Sequence, residues 1–287
     1  MRPREPVYPG DVGREPSSVE VKIELDVAPP TRVSDYMNGG DAHFSVDREV
    51  AEQLVATVPG GLDGFRAVGR AGHEFLTRVV HLAIDAGVRQ FIATGSKLSG
   101  EPNVHDIAQA LAPESRVVYL AVDPITLAIA HTLRSSTPQG ETAFVRTKLR
   151  DTDEILQRAA ETLDLALPVA VMVPDALAFV RNPGTAYGIV RDLMAGVPSG
   201  SYLMLTHHAS DLFVEEHVAM YECIARLASE GKTWGVAPRS RDEVARFFDG
   251  LELIPPGVVP LHTWRVPPAE QDPAARGAMY AGVGRKP

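Results

Sequence analysis

The sequence predicts an α/β protein built on a doubly wound, mostly parallel sheet. Three observations predict it. From Val88 onward, apolar strand-like runs alternate with helical patterns. The first run, Val88–Ala93, meets the turn "TGSKLSG", and a helical stretch follows at once. After five such units, Leu251–Ile254 and Val258–Trp264 flank "PPG" and read as an antiparallel pair.

Each element has its own reason. Val88–Ala93, Arg116–Val122, Val169–Val173 and Tyr202–Thr206 are short apolar runs, the pattern of strands buried on both faces. Thr142–Val145 is a weaker strand. Asn103–Leu111, Asp151–Leu163, Thr185–Ala195 and Leu212–Glu230 carry helical periodicity. Pro124–Leu133 opens with proline in its first turn. Ser240–Phe248 opens with Ser240 and Glu243, the spacing of a capping box. Upstream, residues 47–58 and 62–87 read as helices, and "VEVKIELDVA" at 19–28 as a short edge strand. The expected organisation is an extended or disordered arm at 1–30, a helical lid at 31–87, the sheet domain at 88–267 and a flexible tail at 268–287.

Composition narrows the function. Hydrophobic residues make up 45% of the 287 residues, enough for a full core. Net charge is -9 and no Lys/Arg stripe exists, which argues against a nucleic-acid partner. The single cysteine, Cys223, sits in the apolar helical pattern "AMYECIARLA" and reads as packing. No apolar run reaches membrane-spanning length and no signal-peptide core is present, so a cytoplasmic protein without a membrane partner is expected. No metal site is expected: "HHASD" and Glu215, Glu216 and His217 lack a converging ligand spacing.

Ligands in such sheets bind at the carboxyl ends of the strands. Here those ends are Ala93–Gly100, Ala121–Asp123, Arg146–Asp151, Pro174–Phe179 and Thr206–Asp211. Asp175 ends the fourth strand; His207 and His208 end the fifth. Neighbouring strands bring these into reach, so Asp175 with His208 or His207 is the candidate acid–base set. The plainer alternatives are a turn cap for Asp175 and a solvent-facing His208.

Several stretches resemble one family. They are "TRVSDYMNGGDAHFSVDREVAEQL", "VRQFIATGSKLSGEPNVHDIAQALAPESRVVYLAVDP", "TKLRDTDEIL", "GSYLMLTHHASD" and "APRSRDEVARFFDGLELIPPGVVPLHTWRV". They are similar to an S-adenosylmethionine-dependent methyltransferase family of high-GC actinobacteria, formerly described as a domain of unknown function. The resemblance implies a Rossmann-like class I methyltransferase fold with a seven-stranded sheet. It also implies a cofactor cleft touched by Tyr36, Gly40, Arg70, Ala93, Gly95, Lys97, Ala121, Asp123, Lys148 and Ala178.

The departures fall on that cleft. Where the family carries an acid at the end of the first strand, this chain has Ala93; where a second glycine follows, it has Lys97. The acid that grips both ribose hydroxyls is replaced by Ala121, with Asp123 two residues on as a substitute if the register shifts. Lys148 replaces the acid beside the adenine, and Ala178 a histidine. Lys97 and Lys148 would repel a sulfonium and favour an anionic ligand. The expectation is a methyltransferase-fold protein that holds no cofactor and acts on, or binds, a small metabolite. Cyclisation, isomerisation or elimination by acid–base chemistry would suit it. The alternatives are a methyltransferase that still uses S-adenosylmethionine through an atypical site, and a non-catalytic partner subunit. A homodimer is left open.

Overall fold

The computed structural model describes residues 26–95, 102–133 and 136–287. Five strands run parallel: β1 (Gln90–Thr94), β2 (Arg116–Ala121), β3 (Glu141–Arg146), β4 (Val169–Pro174) and β5 (Tyr202–His208). Ile92 sits opposite Val118 on one side and Val171 on the other, and Met172 sits opposite Met204. These residues are buried on both faces of the sheet, which is why the strands read as unbroken apolar runs.

The C-terminal part departs from expectation. Strands β6 (Glu252–Leu253) and β7 (Val259–Pro260) are only two residues each, and they do not pair with one another. Both pair antiparallel with β8 (Met279–Arg285), which itself lies antiparallel to β5. Among the described residues the sheet therefore has eight strands where seven are expected, in the order β3-β2-β1-β4-β5-β8-β6 with β7 on β8. The expected tail at 268–287 supplies an interior strand. Its sequence, "MYAGVGR", hides this because Gly282 and Gly284 are poor strand formers. They are needed here: a Cβ on either would lie 2.8 Å from the Phe248 ring. Thr263 and its two predecessors form a 3-10 turn instead of extending a strand.

Helices cover both faces. On one, α6 (Thr152–Ala159) and α7 (Pro183–Ala195) bury Ile155, Ile189 and Leu193 against Ile92, Val171 and Leu203. On the other, α3 (Gly61–Asp85) and α4 (Val104–Leu111) bury Phe75, Val79 and Val104 against Phe91, Val117 and Met172. Trp264, fully buried, meets Phe75 edge-on at 5.0 Å. Residues 61–85, expected within the lid, are thus a core helix. The periodicity that marked them as helical is the stripe they bury in the sheet.

Among the described residues, two helices stand off the sheet as a separate layer: α1 (Pro30–Met37) and α2 (Ser45–Val55). They pack with α8 (Val214–Ser229) through Val33, Met37, Val50, Cys223 and Leu227. Cys223 is packing, as its sequence context indicates. Helix α1 is not among the helices the sequence predicts; Pro30 occupies its first turn, where a missing N–H costs nothing. Of the proposed edge strand at 19–28, residues 19–25 lie outside the described residues, and Ala28 makes a single bridge to Thr233. Two further helices remain among the described residues, α5 (Pro124–Leu133) after β2 and α9 (Arg241–Ala245) after the 233–239 segment.

Candidate functional site at the carboxyl ends of the strands

The chain leaves β4 through a strained residue. Asp175 has φ 58°, a left-handed conformation that non-glycine residues seldom adopt. Its N–H donates to the Thr206 carbonyl of β5 at 3.0 Å, which ties the two strand ends together. Its side chain caps nothing in the 3-10 turn Ala176–Phe179 that follows. Instead, Oδ2 lies 3.2 Å from His208 Nε2, with both side chains partly exposed. The structure thus brings together the two groups that the sequence singled out. Neither the turn cap nor the solvent-facing histidine is what forms.

The pair sets its own charge. Burial pushes the Asp175 carboxyl up, but the charge and hydrogen bond of His208 outweigh it and hold Asp175 below its ordinary value. Burial pushes His208 down, and Asp175 outweighs that in turn, so His208 ends above its ordinary value. An imidazolium facing a carboxylate results. The second oxygen, Oδ1, is buried and has no hydrogen-bond partner among the described residues.

His207 is different, although it is the next residue. Alternation along β5 turns it to the opposite face, where it is fully buried. Its Nδ1 donates to the His208 carbonyl at 2.8 Å, and its Nε2 accepts from Arg239 at 2.6 Å. Burial lowers its pKa to about 4, only partly opposed by the bond to the His208 carbonyl. Both nitrogens are committed, and the ring is neutral. His207 holds Arg239, which also donates to the Leu177 and Val180 carbonyls behind the 3-10 turn. The sequence pairing of His207 with Asp175 is corrected: it supports the site from behind.

At the β2 end, the fold engages both oxygens of Asp123. Oδ2 accepts from Thr126 N at 2.8 Å and Thr126 Oγ1 at 2.7 Å, which caps α5. Oδ1 faces Arg32 Nη1 at 3.5 Å. Ala121, partly buried, ends β2 opposite Arg146. At the β1 end, Ala93 is buried between Tyr119 and Met172. Gly95 follows with φ 73° and donates its N–H to Leu120, and a Cβ there would meet open space. Lys97 lies outside the described residues. Lys148 is partly buried after β3, and its carbonyl accepts from Asp151 N at 2.9 Å.

The remaining predicted residues lie elsewhere. Ala178 is fully buried in the 3-10 turn, its carbonyl accepting from Ala237. Tyr36 donates to Glu52 at 3.3 Å, meets the His43 ring edge-on at 4.9 Å, and packs in the cluster that α1 and α2 form with Leu62 and Phe65 of α3 and Cys223 of α8. Gly40 donates to the Asp35 carbonyl and ends that helix. Arg70, largely exposed on α3, faces Asp272 at 3.9 Å. Two residues with structural roles at the site escaped the sequence reading. Arg32 stands in "TRVSDYM", where no helix is expected, and Tyr221 in the apolar helical pattern "AMYECIARLA"; neither context signals the polar partner.

A parallel sheet extended by antiparallel strands β8 and β6 defines a Rossmann-like protein of the methyltransferase type. The chain belongs to the S-adenosyl methyltransferase family, whose model matches residues 16–287. A DUF574-family protein of Streptomyces avermitilis has a crystal structure that superposes with a TM-score of 0.82 at 36% identity, covering 93% of this chain and 100% of that one. A candidate methyltransferase of Thermobifida fusca superposes with a TM-score of 0.78 at 29% identity, covering 92% and 96%. A comparison with curated proteins returns no match. No helix among the described residues is long and apolar enough to cross a membrane.

Proposed function

We propose that this chain uses the methyltransferase fold without S-adenosylmethionine, binding a small metabolite at the carboxyl ends of the strands and moving a proton through the Asp175–His208 pair. The ion pair between Asp175 and His208 carries this reading. It places a carboxylate with a free oxygen at the mouth of β4, backed by a fixed counter-charge. In this role Asp175, held as a carboxylate by His208, accepts a hydrogen bond from the ligand, and the proton of the pair resides on His208.

The groups at the described strand ends support the same reading. The ribose grip would fall to Ala121, which has no acceptor, or to Asp123, whose oxygens cap α5 and meet Arg32. Loss of a carboxylate that binds two hydroxyls costs about 2–3 kcal/mol, or roughly 30- to 150-fold in affinity. Lys148 stands where the family has an acid, and opposes a cationic cofactor. With Lys97 after β1, it favours a metabolite carrying a carboxylate or phosphate.

The match over residues 16–287 and the left-handed Gly95 favour a second reading, a methyltransferase with an atypical cofactor site. Calorimetric titration with S-adenosylmethionine and S-adenosylhomocysteine separates the two. No heat at millimolar ligand is expected. Micromolar binding, about -8 kcal/mol, would overturn the cofactor-free reading.

A further inference from the structure

We infer that Tyr221 is a positioning residue for Asp175, acting through His208, and that the ligand of this site presents a hydroxyl or amine donor to Asp175 Oδ1. The geometry runs in one line. Tyr221 Oη lies 3.1 Å from the Ala209 carbonyl and 3.3 Å from the Ala278 carbonyl. A hydroxyl has one proton, and only the tyrosine can donate in either contact. Its oxygen is left as an acceptor, and His208 Nδ1 lies 3.3 Å away. Nδ1 therefore carries hydrogen. On the other side, Nε2 meets a carboxylate at 3.2 Å, so it carries hydrogen as well.

The ring is held doubly protonated from both ends. Carbonyls of Ala209 and Ala278 orient Tyr221, Tyr221 orients His208, and His208 fixes one oxygen of Asp175. The other oxygen is buried with no partner among the described residues. A buried acceptor without a donor is costly, and a ligand O–H or N–H removes that cost. The ligand class is therefore a compound that bears a hydroxyl or amine. That class rests on the function proposed above; the protonation of His208 does not. The groups facing His208 are Asp175 beyond β4 and Tyr221 on α8. The His207 ring turns to the other face with Arg239.

Histidine ring nitrogen and carbon resonances, followed by NMR across pH, test the arrangement in the full chain without any ligand. In the unaltered protein both nitrogens of His208 are expected to be protonated at pH 6. A ring with one bare nitrogen there would overturn the inference. In Tyr221→Phe, the His208 midpoint is expected to fall by about half a unit to one unit, the worth of one neutral hydrogen bond. His207 is expected to stay neutral in both proteins and reports that the fold is intact. A His208 midpoint unmoved by Tyr221→Phe, but lowered by Asp175→Asn, would show that Tyr221 only packs. Calorimetry with S-adenosylmethionine remains the separate test of the functional reading, so each can fail alone.

Discussion

Arg32, buried in the first helix, reaches Asp123 beyond β2 at 3.5 Å while its Nε bonds Asp47 at 2.9 Å. Its Nη2 donates to the Val27 carbonyl. One guanidinium thus ties the α1–α2 layer to the end of the sheet where a ligand would enter. Asp47 gains Phe44 N and Arg32 at Oδ2, but its buried Oδ1 has no partner among the described residues. The charge of Arg32 is what makes that burial tolerable.

Removing Arg32 should therefore cost far more than an exposed ion pair would. Arg32→Met keeps the aliphatic stem and leaves Asp47 as a buried, unpaired charge. The expected loss is about 3–5 kcal/mol, measured as a drop in the urea midpoint at constant slope. Arg32→Lys should recover little, because one ammonium cannot reach three partners set out for a fork. A change below about 1 kcal/mol, the range of surface pairs, would mean that the network contributes little.

The absent ribose carboxylate suggests a gain-of-function experiment. Ala121→Asp places an acid at the end of β2, clear of the oxygens that Thr126 and Arg32 occupy on Asp123. Affinity for S-adenosylmethionine should rise by about tenfold or more, one charged hydrogen bond being worth about 1.5–3 kcal/mol. Asp123→Ala, in contrast, should cost about 1 kcal/mol of stability as a lost cap and leave cofactor affinity where it was. If Asp123→Ala abolished measurable cofactor binding in the unaltered background, Asp123 would be the ribose ligand after all.

The two adjacent histidines pull stability in opposite directions with pH. His208 is raised, so its contribution is complete below about pH 6.5 and fades as pH climbs through its folded value. Asp175 is depressed, so its contribution is present above about pH 4 and fades as pH falls through its folded value. His207, lowered to about 4, does the reverse of His208: protonation favours the unfolded chain, and stability falls between about pH 6.5 and 4. A comparison with His208→Gln cancels the His207 effect. The stability advantage of the unaltered protein should be greatest between about pH 4 and 6.5 and shrink towards alkaline pH. An advantage that grew with pH would contradict the ion pair.

What the sequence made legible follows from physics that acts locally. The parallel strands were plain because burial on both faces demands runs such as "VAVMV". Asp175 and His208 were legible because polar groups just past apolar strands stand at the ligand end of such sheets. Their pairing, and the opposite fate of His207, depend on strand alternation and on Arg239, thirty-two positions from His207 in the chain. Tyr221 and Arg32 were hidden for another reason. Each lies in an amphipathic helix where its apolar body satisfies the pattern, while its polar tip acts on a partner distant in sequence.

Strand β8 is where the reading failed most, and it yields the sharpest test of the fold. The stretch looked like a tail because glycine and alanine weaken strand propensity. Yet Met204 pairs with Val283 and Thr206 with Ala281, so β8 completes the sheet beside the strand that carries His208. Ala278 of the same segment anchors Tyr221 through its carbonyl. Deleting residues 277–287 should thus remove an interior strand, and with it cooperative unfolding; a flexible tail would be dispensable. A milder variant isolates the packing. At Gly282 a Cβ would lie 2.8 Å from Phe248 Cζ, so Gly282→Val forces the ring or the strand to move. The expected cost is about 1–3 kcal/mol, typical of overpacking, read from chemical denaturation. A truncated chain with an unchanged melting transition would place the edge of the sheet at β5.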